Sequence, residues 1–302
     1  MIPLRKRPFW VTLLPVVTTA LLCAAGVLSV RGAEDGGSTR ANIFARSNLV
    51  AWCIVPFDAK KRDSLQRAEM LERLQIRRLA YDYRAEHVPT FDLEVETMKK
   101  HGIEVTAWWF PGSLNEEAKK ILGVIERHKI MPQLWITGGG AATKNEEEQR
   151  QRVVAEANRI RPIAEAAGRL GCKVALYNHG GWFGEPENQV AIIKELNLPN
   201  VGIVYNFHHG HEHIARFPEL MALMKPHLLA LNINGMIPGG DKAGKKILTV
   251  GEGTEELAML KTVKASGWQG PVGILNHRTE LDAEVALKGN LAGLEKLAAA
   301  LK

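Results

Sequence analysis

The chain has 302 residues, of which 46% are hydrophobic and 24% are charged, a composition of soluble globular proteins rather than of disordered or fibrous ones. Its net charge is +6, but four of its 39 basic residues and none of its 33 acidic residues lie in residues 1–33. The rest of the chain is therefore nearly neutral. It has no basic face of the kind that binds nucleic acid, so we expect no nucleic-acid partner.

The first 33 residues have the pattern of an export signal. Arg5, Lys6 and Arg7 precede an apolar run from Phe9 to Val30, and small residues follow. We predict that residues 1–33 form a signal peptide, or a membrane anchor if they are not cleaved. The protein is then exported to the periplasm or the cell exterior. Residues 34–47 are rich in Gly, Ser and Arg and have no periodicity, which predicts a flexible linker.

From Asn48 onward, short apolar runs alternate with amphipathic stretches. Eight segments in about 250 residues, each followed by helical spacing of apolar residues, predict a parallel sheet closed into a single (β/α)8 TIM barrel over residues 48–302. The first helix begins with the capping-box pattern of Asp63 and Gln66. The predicted strands are Leu49–Val55, Ile76–Asp82, Ile103–Phe110, Met131–Thr137, Cys172–Asn178, Val201–Phe207, Leu228–Asn234 and Val272–Asn276.

A doubly wound open sheet is the alternative α/β architecture. When such a sheet binds a dinucleotide, it carries a Gly-rich loop after its first strand. The segment Trp52–Asp58 follows that strand and contains no glycine. We therefore favour the barrel and expect no nucleotide cofactor.

Polar and aromatic side chains gather where the predicted strands end. In a TIM barrel the active site lies at the C-terminal ends of the strands, so these side chains are expected to meet. The densest group follows the sixth strand, where Asn206 precedes His208, His209, His211 and His213. The other strand ends and the loops after them supply Asp82, Trp108, Trp109, Tyr177, Asn178, His179, Trp182, Asn232, Asn234, Asn276 and His277. At most one of Trp108 and Trp109 can face the lumen, because consecutive strand residues point to opposite sides.

Four segments carry a resemblance to a known superfamily: Leu176–His179, Val204–His209, Val250–Gly253 and Gly270-Pro271. In order and spacing they resemble the xylose-isomerase-like barrels, which include sugar isomerases, sugar-phosphate isomerases, epimerases and endonuclease IV. The resemblance spans residues 48–302. It implies a barrel in which a divalent metal polarises the carbonyl of a sugar while two carboxylates move a proton between carbons.

This chain departs from the ligand set that the resemblance implies. Tyr177 stands where the fifth-strand Glu is expected, and Asn206 replaces the sixth-strand Asp. The eighth-strand Glu falls on Leu275 or Asn276, whereas His209 is retained. Amide oxygens are weaker ligands for hard dications than carboxylates are. The family's two-carboxylate chemistry therefore cannot be carried over.

Histidines are the main remaining candidates for chemistry. His179, His209 and His277 each follow a predicted strand, and we predict that they act as acid–base groups or as the ligands of one divalent metal ion. Tyr177 and Asp82 are predicted to join them as catalytic acids or bases. The predicted substrate-binding residues are Asn178, Asn206, Asn232, Asn276, His208, Trp108 and Trp182.

These features predict an exported enzyme that acts on a saccharide or saccharide derivative by proton abstraction next to a carbonyl, as isomerases and epimerases do. The alternative is a barrel that has lost its metal site and binds a saccharide without turning it over. Endonuclease activity is disfavoured, because it needs a cluster of acids and histidines together with a basic face. A membrane is expected as a partner only if residues 1–33 stay attached, and the oligomeric state is left open.

Overall fold

The computed structural model describes residues 42–301 and contains the predicted barrel. Eight parallel strands pair in chain order, and the eighth closes on the first through four residue pairs from Leu49 with Val272 to Trp52 with Leu275. Every strand lies within its predicted segment. The strands are β1 (Leu49–Trp52), β2 (Arg78–Tyr81), β3 (Glu104–Trp109), β4 (Gln133–Ile136), β5 (Lys173–Tyr177), β6 (Val201–Asn206), β7 (Leu228–Ile233) and β8 (Val272–Leu275).

Helices surround the barrel in the order that strictly alternating units require. They are α1 (Ser64–Arg73), α2 (Phe91–Lys100), α3 (Glu116–His128), α4 (Glu146–Arg169), α5 (Gly181–Gly184), α6 (Pro186–Leu196), α7 (Phe217–Met224), α8 (Glu256–Ser266) and α9 (Ala283–Ala298). The capping box predicted at Asp63 and Gln66 is confirmed. Two 3-10 turns, Phe207–His209 and His211–Arg216, lie between β6 and α7.

Alternation along the strands sorts the apolar residues into two layers. The outer layer packs against the helices and forms the larger core, with Leu79, Leu134 and Ile203 among its members. The inner layer fills the barrel and combines small residues with large rings. Ala80 and Ala107, for example, leave room for Trp52 and Trp135. Aromatic side chains therefore fill the barrel below its mouth.

The folded unit begins before the predicted first strand. Ile43 is buried, Asn48 donates a hydrogen bond to its carbonyl oxygen, and Arg46 donates to the carbonyl of Leu74. The last residues of the predicted linker 34–47 thus pack on the barrel, because Ile43 supplies an apolar anchor. The predicted signal peptide at residues 1–33 lies outside the described residues. Within residues 42–301, no helix is long and apolar enough to cross a membrane.

A buried carboxylate holds the long loop between β7 and α8. Glu256 accepts hydrogen bonds from the backbone N–H groups of Gly251 and Gly253, both at 2.9 Å, and from Met236 at 3.1 Å. Asn290 of α9 accepts from the N–H of Val250 and donates to the carbonyl of Leu275. The Val250–Gly253 run that carries part of the family resemblance is therefore a loop fixed by side chains, next to the end of β8.

Replacing Glu256 with Gln should destabilise the fold by about 2 kcal/mol, because the amide N–H2 cannot accept from a buried backbone N–H that the carboxylate now satisfies. Urea unfolding measures the change. Glu255→Gln removes the same charge one residue earlier at a part-exposed site, and should cost less than about 1 kcal/mol. If both variants lose the same free energy of unfolding, the three backbone hydrogen bonds to Glu256 contribute nothing beyond the effect of removing a charge.

Candidate active site at the barrel mouth

Four imidazole rings meet at the C-terminal end of the barrel. The ring centroids of His179 and His209 are 4.6 Å apart, those of His208 and His209 4.1 Å, and those of His208 and His277 5.3 Å. They arrive from the ends of β5, β6 and β8. The three histidines predicted to converge do so, and His208 joins them, because the 3-10 turn after β6 turns two consecutive side chains toward the mouth.

Beneath the imidazoles lies a floor of aromatic rings. Tyr177 of β5 is buried at the centre, 5.2 Å from Trp109, 6.0 Å from Trp52 and 6.1 Å from Trp135 between ring centroids. Trp109 stacks on Trp52 with an interplanar angle of 29° and also contacts His179. Trp109 is only partly buried, so it offers a ring face where the mouth opens.

Two of the predicted tryptophans lie elsewhere. Trp108 points to the outer side of β3, where it packs edge-on against Tyr81 and Phe91. The prediction for Trp108 was wrong because consecutive strand residues face opposite sides, and Trp109 has the inward position. Trp182 lies in the outer core and donates a hydrogen bond from its indole to Gln149 of α4. It is therefore a packing residue between helices rather than part of the mouth.

Asparagines line β5, β6 and β7 and bond chiefly to one another. The side chain of Asn178 accepts from the backbone N–H of Asn206 at 2.7 Å and donates to its carbonyl at 3.1 Å, which extends the strand pairing by one step. Asn206 donates to Asn178 at 2.8 Å and accepts from Asn232 at 2.5 Å. Asn178 and Asn206 are predicted from the sequence to bind substrate hydroxyls. In the structure their side chains hydrogen-bond to neighbouring strands of the barrel wall instead.

Asn276 has a similar role at the end of β8. Its amide N–H2 lies within hydrogen-bonding distance of the carbonyls of Phe57, Arg278 and Leu281. It thereby joins the loop after β1 to the loop after β8. The oxygens of Asn276 and Asn232 are buried and have no hydrogen-bond partner. These two residues retain acceptor capacity, whereas Asn178 and Asn206 have used theirs.

Asp82 and Cys53 complete the mouth on the side of β1 and β2. Asp82 is 2% exposed; one carboxyl oxygen accepts from the N–H of Val55 at 3.3 Å, and the other has no partner. Cys53 Sγ lies 3.2 Å from His277 Nδ1. Cys53 and His277 have φ values of 51° and 56°, in the left-handed region that non-glycine residues seldom adopt. Such strain at a side-chain contact is typical of functional sites.

The environment sets the proton positions. Burial raises the pKa of Tyr177 and of the Cys53 thiol, so both keep their protons near neutral pH. Burial also lowers the pKa of all four imidazoles, to about 2 for His209 and about 4 for His277. The rings are therefore neutral. Burial raises the pKa of Asp82 to about 7, so its carboxyl can exchange a proton at physiological pH.

Two contacts bear on the imidazole tautomers. The hydroxyl of Tyr177 lies 3.4 Å from His208 Nε2; a protonated phenol that donates to this nitrogen places the His208 proton on Nδ1, which is buried and has no partner among the described residues. A Cys53 thiol that donates to His277 Nδ1 likewise places the proton of that ring on Nε2. In these tautomers His208 is a donor.

Among the described residues, several buried polar atoms at the mouth have no hydrogen-bond partner. They are His208 Nδ1, His209 Nε2, the second oxygen of Asp82 and Trp52 Nε1. An unsatisfied buried polar group costs about 1–3 kcal/mol. Water or a ligand at the mouth would supply the hydrogen bonds that these atoms lack.

The sequence of this chain matches the family model described as "Xylose isomerase-like TIM barrel" over residues 75–297, most of its length. The chain belongs to this family. A search of curated protein sequences finds no significant match.

Solved structures resemble the barrel closely enough to establish the fold. The apo form of 3-keto-D-glucoside 4-epimerase from E. coli superposes with a TM-score of 0.61 and 15% identity, covering 84% of this chain and 99% of that one. D-Psicose 3-epimerase from Clostridium cellulolyticum H10 with D-tagatose gives 0.59 and 13%, again covering 84% and 99%. The IolI protein with a bound zinc atom gives 0.64 and 17%, covering 85% and 99%. The similar structures are thus of sugar epimerases and of a zinc-binding barrel.

The donor set of this family member does not fit a divalent metal ion of the usual kind. Within residues 42–301, no three His, Cys, Asp or Glu side chains are arranged to hold a metal ion. The carboxyl at the mouth is Asp82, which burial keeps partly protonated. The side-chain oxygens of Asn178 and Asn206 already accept hydrogen bonds. The predicted metal ligands His179, His209 and His277 therefore come together without forming a coordination set.

Sequence reasoning did not include Trp52 and Cys53 among the strand-end residues, and of the adjacent Trp108 and Trp109 it named Trp108 as substrate-binding. Trp52 ends β1 and Cys53 follows it, so the rule used for the other strand ends would have included both had the strand not been predicted to continue to Val55. The choice of Trp109 required the inward register of β3. The histidines His211 and His213 follow the same strand but face away: His211 contacts the carbonyls of Ile237 and Lys246, and His213 contacts Tyr205.

Asp82→Asn should reveal the raised pKa of Asp82 through the pH dependence of stability. The folded state binds the Asp82 proton more tightly than the unfolded state, so wild-type protein loses stability as pH rises from about 4 to about 7. The variant has no such loss. Its free energy of unfolding relative to wild type should therefore increase over this window, by at most about 4 kcal/mol.

Urea unfolding between pH 4 and pH 8 measures this difference. Asp92→Asn is the control, because hydrogen bonding to Arg127 lowers the pKa of Asp92: its stability difference from wild type should stay nearly constant from pH 4 to pH 8 and shrink only at lower pH. A pH-independent difference for Asp82→Asn would mean that Asp82 ionises normally in the folded protein.

Proposed function

We propose that this chain is an exported enzyme of the sugar isomerase and epimerase type that moves a proton next to a saccharide carbonyl with its own side chains. One observation carries the proposal: neutral imidazoles with unpartnered buried nitrogens converge above an aromatic floor at the barrel mouth. A saccharide has hydroxyls that can hydrogen-bond to these nitrogens and an apolar ring face that can pack on the aromatic floor.

The geometry supports separate roles for His208, His209 and Asp82. In the tautomer in which Tyr177 donates to it, His208 carries its proton on the unpartnered Nδ1 and is suited to donate a hydrogen bond to a carbonyl oxygen. His209 has an unpartnered Nε2 suited to a substrate hydroxyl, and Asp82, whose pKa burial raises to about 7, is suited to take the proton from the adjacent carbon. The resulting enediol would regain a proton on the neighbouring carbon in an isomerase, or on the opposite face of the same carbon in an epimerase.

Other mouth residues support this chemistry. His179 lies 4.6 Å from His209 between ring centroids and could take the second proton-transfer role. The partly exposed ring of Trp109 suits the apolar face of a sugar. Since the donor set does not fit a divalent cation, the proposed route relies on hydrogen bonding and proton transfer.

Export remains part of the proposal. The basic and apolar pattern of residues 1–33 supports it, with membrane anchoring as the variant in which this segment is retained. An exported enzyme would meet free or oxidised saccharides rather than intracellular sugar phosphates.

A second function is favoured by the asparagines of the barrel wall. Asn178, Asn206 and Asn232 carry neutral amides and hydrogen-bond to one another along three strands. A barrel that binds a saccharide without turnover would tolerate such a wall. This non-catalytic alternative predicts binding without any exchange of carbon-bound hydrogen.

Exchange of substrate C–H for deuterium in D2O, followed by NMR over a panel of aldoses, ketoses and uronic acids, tests the proposal. At least one member should exchange, and Asp82→Asn should slow that exchange by about 100-fold or more, as removal of a general base does. Tyr177→Phe should slow it less, by roughly tenfold, because His208 keeps its ring but loses the bond that fixes its tautomer.

His227→Gln is the control, since His227 lies in a turn before β7, at the opposite end of the barrel from the mouth, and should leave exchange unchanged. Exchange should also survive dialysis against EDTA with no stoichiometric metal in the protein. Saccharide binding without exchange would favour the non-catalytic alternative. Exchange that disappears with chelation and returns with added zinc would refute the metal-independent route.

A further inference from the structure

Two cations approach the mouth from opposite loops. Arg84 follows β2, and Lys246 lies in the loop between β7 and α8. The charge of Lys246 acts on all four mouth imidazoles, and the charge of Arg84 acts on His277, Cys53 and Asp82. Arg84 and Lys246 have no role in the proposed proton transfer. Because both charges act on His277, the two side chains are candidates to bind a charged group of the ligand.

The position of Arg84 is fixed by packing. Its guanidinium lies 5.3 Å from the ring centroid of Phe57, and the ring of Phe57 stacks on His277 with centroids 4.1 Å apart. Its Nη1 donates to the carbonyls of Asp82 and Tyr83. Among the described residues, no carboxylate forms an ion pair with it. Arg84 is exposed, so its remaining N–H groups face solvent beside the mouth.

The backbone of Lys246 is held in place on the other side. Its carbonyl contacts His211 at 3.0 Å and accepts from the side chain of Asn234 at 3.2 Å. The ammonium group pairs with Asp241 at 3.2 Å and is a third exposed. An ammonium has three donors, so this one pair leaves two available. The loop therefore holds the backbone of Lys246 beside Asn234, the residue that follows β7, and leaves part of its ammonium exposed.

The two cations differ in how they are paired. Lys246 forms an ion pair with Asp241, whereas Arg84 has no carboxylate partner among the described residues. Asp82 lies at the mouth, and burial raises its pKa to about 7, so it is partly protonated near neutral pH. Neutral imidazoles contribute hydrogen bonds but no charge. The mouth thus combines the unpaired charge of Arg84 and the remaining donors of Lys246 with unpartnered polar atoms, a combination that attracts anions.

We propose that the saccharide bound at this mouth is anionic, and that Arg84 and Lys246 bind its acidic group while the imidazoles and Trp109 bind the ring. This inference rests on the proposed function and adds the class of substrate. A carboxylate, as in a uronic or other sugar acid, matches the planar fork of a guanidinium; a phosphate ester shares the same chemistry of an anion between two cations.

Binding of matched saccharides tests the proposal. The panel contains glucose, galactose and mannose, the three corresponding uronates and the three 6-phosphates, each titrated into the protein by calorimetry. At least one anionic member should bind about tenfold or more tightly than its neutral partner, in keeping with charge-assisted hydrogen bonds. Its affinity should fall with added salt, whereas that of a neutral sugar should not.

Two single variants and their control identify the cations. Arg84→Gln and Lys246→Gln should each lower the affinity for the anionic member by about tenfold and leave that for its neutral partner within about twofold. Lys242→Gln removes the same charge from the same loop, but Lys242 is highly exposed and pairs with Glu212, so it should change neither affinity. Thermal unfolding of each variant checks that the fold is intact.

The outcomes separate this inference from the function on which it rests. If neutral sugars bind and exchange as well as their uronates and phosphates do, the anionic class is overturned and the enzyme proposal stands. If no member of the panel binds, both are overturned. Tight binding of the uronates alone identifies a carboxylate, and tight binding of the phosphates alone identifies a phosphate. Unchanged affinity in both cation variants would overturn the assignment of Arg84 and Lys246.

Discussion

The closure of the barrel by parallel strands is the constraint from which the rest of the structure follows. Closure forces every second side chain of each strand into one narrow interior, and here that interior contains rings as large as Trp52, Trp135 and Tyr177 beside alanines. The large rings fit only because opposing strands contribute small residues. They fill the barrel below the mouth, so the histidines that follow the strands rest on a rigid aromatic floor and keep a fixed separation.

The sequence alone predicted the fold and the end of the barrel that carries the site, because both follow from periodicity: apolar runs alternate with helical patterns, and polar residues follow the runs. It could not predict which of two adjacent tryptophans faces inward, because the register of β3 depends on its neighbours. Nor could it predict that His208 and His209 turn inward together through a 3-10 turn, or that Cys53 meets His277 from 224 positions away. These depend on tertiary contacts that leave no local pattern.

The asparagines show how an amide in place of a carboxylate changes the hydrogen bonding and the charge of a site. A carboxylate in place of the Asn206 amide would be an acceptor only, and could not donate to Asn178 as the amide does. The amides satisfy one another, which stabilises the wall but removes negative charge from it. Asp82 then remains as an acid of the mouth, with a pKa that burial raises to about 7, and Arg84 lies nearby without a carboxylate partner among the described residues.

The contact between Cys53 and His277 also bears on when the site comes into existence during folding. It lies on the seam where β1 meets β8, and the N–H of His277 is 3.2 Å from the carbonyl of Cys53. The first and last strands must therefore both be made before this seam can form. A nascent chain could build the helices and most of the sheet, yet its mouth would remain open on one side. Competence to bind a ligand is consequently acquired in the final step of assembly, and a chain truncated before β8 would lack it altogether.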